Sequence, residues 1–271
     1  MKLCLPNTYD KLSEQILWEW YCNISVEIDV GFLDKRQQSY LSEYYIEAGL
    51  LRKRKSSFFR HHYAKPFSAA LSFLLSIPKK RPVILDLGCG TGTQSLAFAL
   101  LGAKVIALDM DTQALEILHK RKHFYEEKTG RILDIQTGNS NVFAFDFSSI
   151  APIDGLYSLF AFNMMQPSRK LLSLIMPYMA TVGRIAILDG NCSSFASRFF
   201  PWRRRNVLSP MELKEEIEKY CFETVEHYGG VVFPPALWFI FPYSALTKLD
   251  NWFSNKSWVF PVSHQILAQH R

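Results

Sequence analysis

Asp86, Gly88, Gly90 and Gly92 stand at alternate positions in the run Val83-Ile84-Leu85-Asp86-Leu87-Gly88-Cys89-Gly90-Thr91-Gly92-Thr93. Glycine in such a turn lets the backbone bend sharply, or lets a ligand approach where a Cβ would clash. The aliphatic run ahead of it predicts a strand over 83–87, and Gln94–Leu101 predicts a helix behind it. That order of strand, glycine turn and helix builds a nucleotide site at the carboxyl end of a parallel strand. A dinucleotide fingerprint needs its third glycine at position 93, which is Thr93, and a Walker loop needs a Lys that does not follow. A carboxylate two residues before the first glycine repels a pyrophosphate but suits a ligand with an ammonium and a sulfonium. The chemistry that fits is recognition of a cationic nucleoside.

Two further acids follow. Asp109 ends the stretch Lys104–Leu108, read as the second strand. Asp146, followed by Phe147, ends Asn141–Phe145, which is read as the third strand in competition with Leu133–Thr137. With these acids, Asp86-Leu87-Gly88-Cys89-Gly90-Thr91-Gly92 resembles the D-x-G-x-G-x-G motif of the Rossmann-like (class I) S-adenosylmethionine-dependent methyltransferases, over residues 81 to about 190. The resemblance implies S-adenosyl-L-methionine as cofactor and Gly88, Cys89, Gly90, Thr91 and Gly92 as the donor loop. It implies Asp86 at the methionyl ammonium, directly or through water, Asp109 at both ribose hydroxyls, Asp146, followed by Phe147, at the adenine amino group, and Met110 and Phe147 among the donor-binding residues. An ionised carboxylate only accepts and a diol has two protons to donate, so the ribose contact is charge-assisted and directional. Each acid also has a plain structural reading: Asp109 and Asp146 are both residue types that cap helices and turns. Cys89 has no base near it in sequence and reads as a small filler.

The elements that position these residues follow a βα rhythm from Arg81 onward. Asp111 or Thr112 caps a helix to about Lys128, Gly155–Phe162 is a fourth strand, Pro167–Ala180 a helix and Gly183–Leu188 a fifth strand. Ser209-Pro210-Met211-Glu212 is a capping signal for a helix reaching about Tyr220, and Thr224–Tyr228 reads as a sixth strand. The fold expected is α/β, a Rossmann-like parallel sheet in three layers with seven strands. Residues 8–76 read as helical, so residues 1–78 are expected to form a helical N-terminal cap on a methyltransferase domain over 79–271, with an aromatic extension from about 190.

A methyl acceptor must be held in line with the donor, so its class depends on the end of the fourth strand and on the cap. The region Phe160-Ala161-Phe162-Asn163-Met164-Met165-Gln166-Pro167 lacks the N-P-P-[YF] signature of amino-group methylation and any carboxylate cluster for a divalent metal. His61, His62 and His227 are the candidate bases, because a histidine can take a hydroxyl proton near neutral pH. For His61 and His62 the plainer reading is an exposed basic helix, and His119 and His123 share a mid-helix surface with Lys120, Arg121 and Lys122. Tyr63 can instead pack on the donor. Residues 52–65 and 198–205 interleave Arg or Lys with rings, a mixture that suits lipid headgroups or single-stranded RNA. The apolar, proline-broken tail Val231–Phe241 favours a small-molecule or lipid-like acceptor, with peripheral membrane contact, and oxygen is the receiving atom expected. An RNA methyltransferase is one alternative; a non-catalytic donor-binding relative acting through a partner is another. No stable protein partner is expected.

The 271 residues carry a formal charge of +6 with 48% hydrophobic and 21% charged residues, which excludes general disorder. The five scattered cysteines form no C-x-x-C pair, so neither a disulfide framework nor a zinc site is expected. Without a signal segment at the N-terminus or an apolar run of membrane-spanning length, a cytoplasmic protein is expected.

Overall fold

The computed structural model describes residues 13–48, 56–192, 208–229, 233, 237–254 and 263–271. The first five strands pair in parallel: the short, aliphatic β1 (Val83–Leu87), β2 (Lys104–Asp109) and β4 (Ile153–Leu159), the longer β5 (Met179–Gly190), and β3 (Ile135–Asn139) at the edge. Beyond β5, β7 (Ser263–His270) runs antiparallel and pairs in turn with β6 (Phe222–Gly229). The order is β3-β2-β1-β4-β5-β7-β6, a doubly wound sheet whose strand order reverses between β1 and β4.

Side chains alternate between two buried faces, as a strand's period of two requires. Ile84, Val105, Ala107 and Tyr157 point to one face and meet α1 (Glu14–Val30), α4 (Lys65–Leu75), α5 (Thr93–Leu100) and α6 (Thr112–Thr129). Leu85, Leu87, Ile106, Leu108 and Leu156 point to the other and meet α7 (Ser168–Ile175) and α8 (Pro210–Glu218). Two further pieces, α2 (Lys35–Ala48) and the short α3 (Ser56–Phe59), complete the N-terminal helices, and α9 (Tyr243–Ser254) lies in the β6–β7 connection. The helix starts are local chemistry. Asp111 accepts from the amides of Gln113 and Ala114, and Ser209 and Glu212 close a reciprocal capping box.

The structure corrects the expected third strand. Ile135–Asn139 forms it, not Asn141–Phe145, because the Asn141 side chain accepts from Phe143 N and bends the chain into a turn. Asp146 therefore ends no strand; it caps a 3₁₀ turn over Phe147–Ile150. The helix expected over 167–180 stops at Ile175, since β5 begins at Met179. Arg52–Lys55, the segment 198–205 and residues 231–232 and 234–236 of the apolar tail lie outside the described residues.

Candidate active site

Strand register brings the candidate residues to one edge. Leu87 of β1 lies beside Leu108 of β2 and Ser158 of β4, and Leu159 lies beside Leu188 of β5. The connections that follow, 88–92, 110–111, 160–167 and 191 onward, therefore emerge together at the carboxyl ends. The β6–β7 connection belongs to the same edge, since Asp189 and Gly229 both pair with His264 at the start of β7.

The glycine turn is shaped by close packing on two sides and openness on the third. A Cβ on Gly88 would lie 2.3 Å from the Ala161 Cβ, and one on Gly92 would lie 2.1 Å from Leu118. A Cβ on Gly90 would meet nothing within 4 Å, and its φ of +51° is left-handed. The Gly88 and Cys89 amides donate to Leu108 O, which ties the turn to β2.

The three acids occupy distinct settings. Asp86 is buried and accepts from Ser95 Oγ at 2.5 Å; burial, with Asp109 nearby, pushes its carboxyl up to about 7 despite that bond. Asp109 accepts from Gly90 N at 2.7 Å through Oδ2 and from Asp111 N at 2.9 Å through Oδ1. Each of its oxygens retains a lone pair for a further donor. Asp146 is at the rim, with Oδ1 taken by Ser148 N at 3.0 Å and Ser148 Oγ at 2.5 Å. Met110, beside Asp109, is 69% exposed, whereas Phe147 is buried with its ring against Phe145. Cys89 is buried and burial pushes its thiol well above the ordinary range, so it stays protonated.

His61 and His62 are not on an exposed helix. They lie with Tyr63 in a π-helical turn, Arg60–Ala64, where a wider turn re-aims successive side chains. His61 is buried, donates Nε2–H to Asp250 Oδ2 at 2.9 Å and stacks on Trp238 at 4.6 Å. The acceptor-only carboxylate fixes that tautomer, and Nδ1 has no partner among the described residues. Burial lowers the pKa of His61, and pushes that of His62 down to about 3. The ring of Phe160 lies 4.8 Å from that of His62 and 5.2 Å from that of Tyr63. Phe160 follows β4 directly and has a φ of +53°, a costly conformation for an aromatic residue. His227 is on β6, opposite Ile266; its side chain is outside the described residues.

Sequence reasoning passed over two groups. Asp189, at the end of β5, accepts from Asn163 N at 2.7 Å, and burial pushes its carboxyl up to about 6. Arg121, read as surface, is fully buried against Glu27 and bonds to the glycine turn. Its signal was positional: 114, 118, 121 and 125 share one helical stripe, and Ala114, Leu118 and Tyr125 are all buried. Away from these residues, a polar groove of about 280 Å³ lies between Asp34, Arg36 and Gln37 and Thr112, Gln113 and Glu116. Among the described residues no group of three or more His, Cys, Asp or Glu could hold a metal ion, and no helix is long and apolar enough to cross a membrane.

Comparison with known proteins matches this geometry. Residues 84–178 match the family model described as a methyltransferase domain. A cypemycin N-terminal methyltransferase from Streptomyces sp. is 49% identical over 39 residues, covering 14% of this chain and 16% of that protein. A ribosomal protein L11 methyltransferase from Campylobacter concisus is 28% identical over 155 residues, covering 57% of this chain and 49% of that protein. The matches thus span less than half the length of these curated relatives. In fold, the chain is similar to magnesium protoporphyrin IX methyltransferase from Synechocystis PCC 6803 with bound S-adenosylmethionine, with a TM-score of 0.54, 9% identity and 100% of each chain covered. The doubly wound sheet, the glycine turn and the domain match agree: residues 84–178 form a methyltransferase domain, in a chain with the fold of the class I S-adenosylmethionine-dependent methyltransferases.

Proposed function

We propose that this protein transfers the methyl group of S-adenosylmethionine to an oxygen of a small-molecule or lipid-like acceptor. The observation that carries the donor half is the juxtaposition of Asp86, Asp109 and the open side of Gly90 at the carboxyl ends of β1 and β2. The residues fit the donor group by group. Gly90 leaves room for close approach, Asp109 retains lone pairs for the ribose diol, and buried Asp86 offers negative charge for the ammonium. Asp146 keeps Oδ2 for the adenine amino group, and exposed Met110 offers an apolar face for the ring.

When bound, the donor supplies a sulfonium-activated methyl group. The protein's part is to hold the acceptor in line and dry, since positioning dominates such a displacement. Phe160, His62 and Tyr63 form an aromatic wall at the end of β4, and this supports an apolar acceptor face. Burial holds His62 neutral and pushes its pKa down to about 3, too weak a base for an acceptor hydroxyl near neutral pH, so its ring serves the wall and not proton transfer.

The test is to incubate the full chain with methyl-labelled donor and fractionated cell extract. Label entering lipid or apolar small-molecule fractions supports the proposal. Label entering RNA or protein alone, or no label transferred at all, refutes the acceptor reading.

A further inference from the structure

The glycine turn is held from behind by a buried ionic relay. Arg121 of α6 donates through Nε and Nη2 to both oxygens of Glu27 on α1, at 2.5 and 3.1 Å, and both side chains are fully buried. Its remaining nitrogen, Nη1, donates to Thr91 O at 2.6 Å and Thr93 Oγ1 at 2.8 Å. Tyr125 OH donates to Glu27 Oε1 at 2.6 Å, completing the carboxylate's shell. Two more cap residues reach the same point: Trp20 Nε1 donates to Thr93 O at 3.0 Å, and the Tyr45 hydroxyl pairs with Thr93 Oγ1 at 2.5 Å.

Burial disfavours the Arg121 charge, yet Glu27 more than offsets this and holds the guanidinium protonated. A buried pair of this kind is weak evidence for stability, because desolvation consumes most of the Coulombic gain. What it does do is specific. By gripping Thr91 O, Arg121 sets the plane of the Thr91–Gly92 peptide, inside a turn where Gly88, Gly90 and Gly92 all have positive φ and resist disorder poorly.

We infer that Arg121, oriented by Glu27, is a positioning residue for the donor loop, and that through it docking of the N-terminal helices and formation of the donor site are one event. The inference rests on the donor reading proposed above. Lysine cannot substitute, because a single ammonium cannot reproduce the fork that spans Glu27 and Thr91.

The experiment titrates S-adenosylhomocysteine calorimetrically into the full-length wild type, Arg121→Lys, the double variant Glu27→Leu with Arg121→Met, and Thr93→Val, each also followed by thermal melting. Expected are donor affinities at least tenfold weaker for both Arg121 variants and several-fold weaker for Thr93→Val. The apolar double variant should melt cooperatively near the wild type, which separates positioning from folding. A folded Arg121 variant that binds within twofold of wild type overturns the inference. Should neither Arg121 variant fold, Thr93→Val decides: unchanged affinity overturns the coupling and weakened affinity supports it. A wild type that binds no donor overturns the donor reading itself, and this coupling with it.

Discussion

Asp86 is the residue whose chemistry carries the sharpest prediction. Its folded pKa is raised to about 7 from 3.8, so below 7 the unliganded site holds a proton that a cationic donor must expel. Donor affinity should therefore rise with pH by up to tenfold per unit until about 7, then level off while the donor's amine stays charged, to about pH 8. Asp86→Asn should bind more weakly and flatten that rise; a titration series between pH 5.5 and 8 checks both. His62 gives a stability prediction of defined sign. Its folded pKa, about 3, lies below the unfolded 6.5, so the unfolded chain takes up more protons below pH 6.5 and stability is lost as pH falls through that window. Against His62→Phe, the wild type should lose at most about 1.4 kcal/mol per pH unit below 6.5 in denaturant melts. The comparison must be made between variants, because Asp86 and Asp189, with raised pKa values, push the whole protein's stability the other way over the same range.

Among the elements, those set by local pattern were legible from sequence. β1, the glycine turn and β2 follow from aliphatic runs and glycine spacing, and α8 from its capping box. Elements set by distant partners were not. β7 reads Ser-His-Gln at its start, and these residues are buried polar ones, so no hydrophobic alternation marks it. The π-helical turn hid His61 for the same reason, since its partner Asp250 lies 189 residues away. Asp250 also accepts from Phe233 N at 2.9 Å, so it joins the N-terminal helices to the β6–β7 connection. Asp250→Ala leaves the buried His61 ring and the half-buried Phe233 amide without this acceptor and should cost roughly 1–3 kcal/mol, read as a lowered midpoint in urea. Phe160 is the element-end residue that the acceptor reading depends on. Phe160→Gly relieves the positive φ yet removes the ring facing His62 and Tyr63; donor affinity should stay within twofold while turnover on the acceptor falls at least tenfold.

At the scale of the molecule, the sheet order assigns roles by position. The acids proposed to meet the donor lie at the ends of β1 and β2, and the aromatic wall lies at the end of β4, across the point where the strand order reverses. The helices before β1 are bonded to both halves: Glu27, Trp20 and Tyr45 lead to the glycine turn, while His61 and Lys65 bond to Asp250 and Asn251 in the β6–β7 connection. The sequence motif alone pointed to the proposed donor loop because the residues of 86–92 are contiguous. The proposed acceptor half is assembled from segments some 200 residues apart, as in the approach of Ser263 to His62, and only the folded chain brings them together. The central claim is that this edge binds S-adenosylmethionine through Asp109, and calorimetric titration of S-adenosylhomocysteine into wild type and Asp109→Ala tests it most directly. The account predicts saturable one-to-one binding by the wild type and an affinity lower by about 30-fold or more in the variant, the loss expected of about 2–3 kcal/mol from a charge-assisted contact. Equal affinity in a folded Asp109→Ala protein would contradict it.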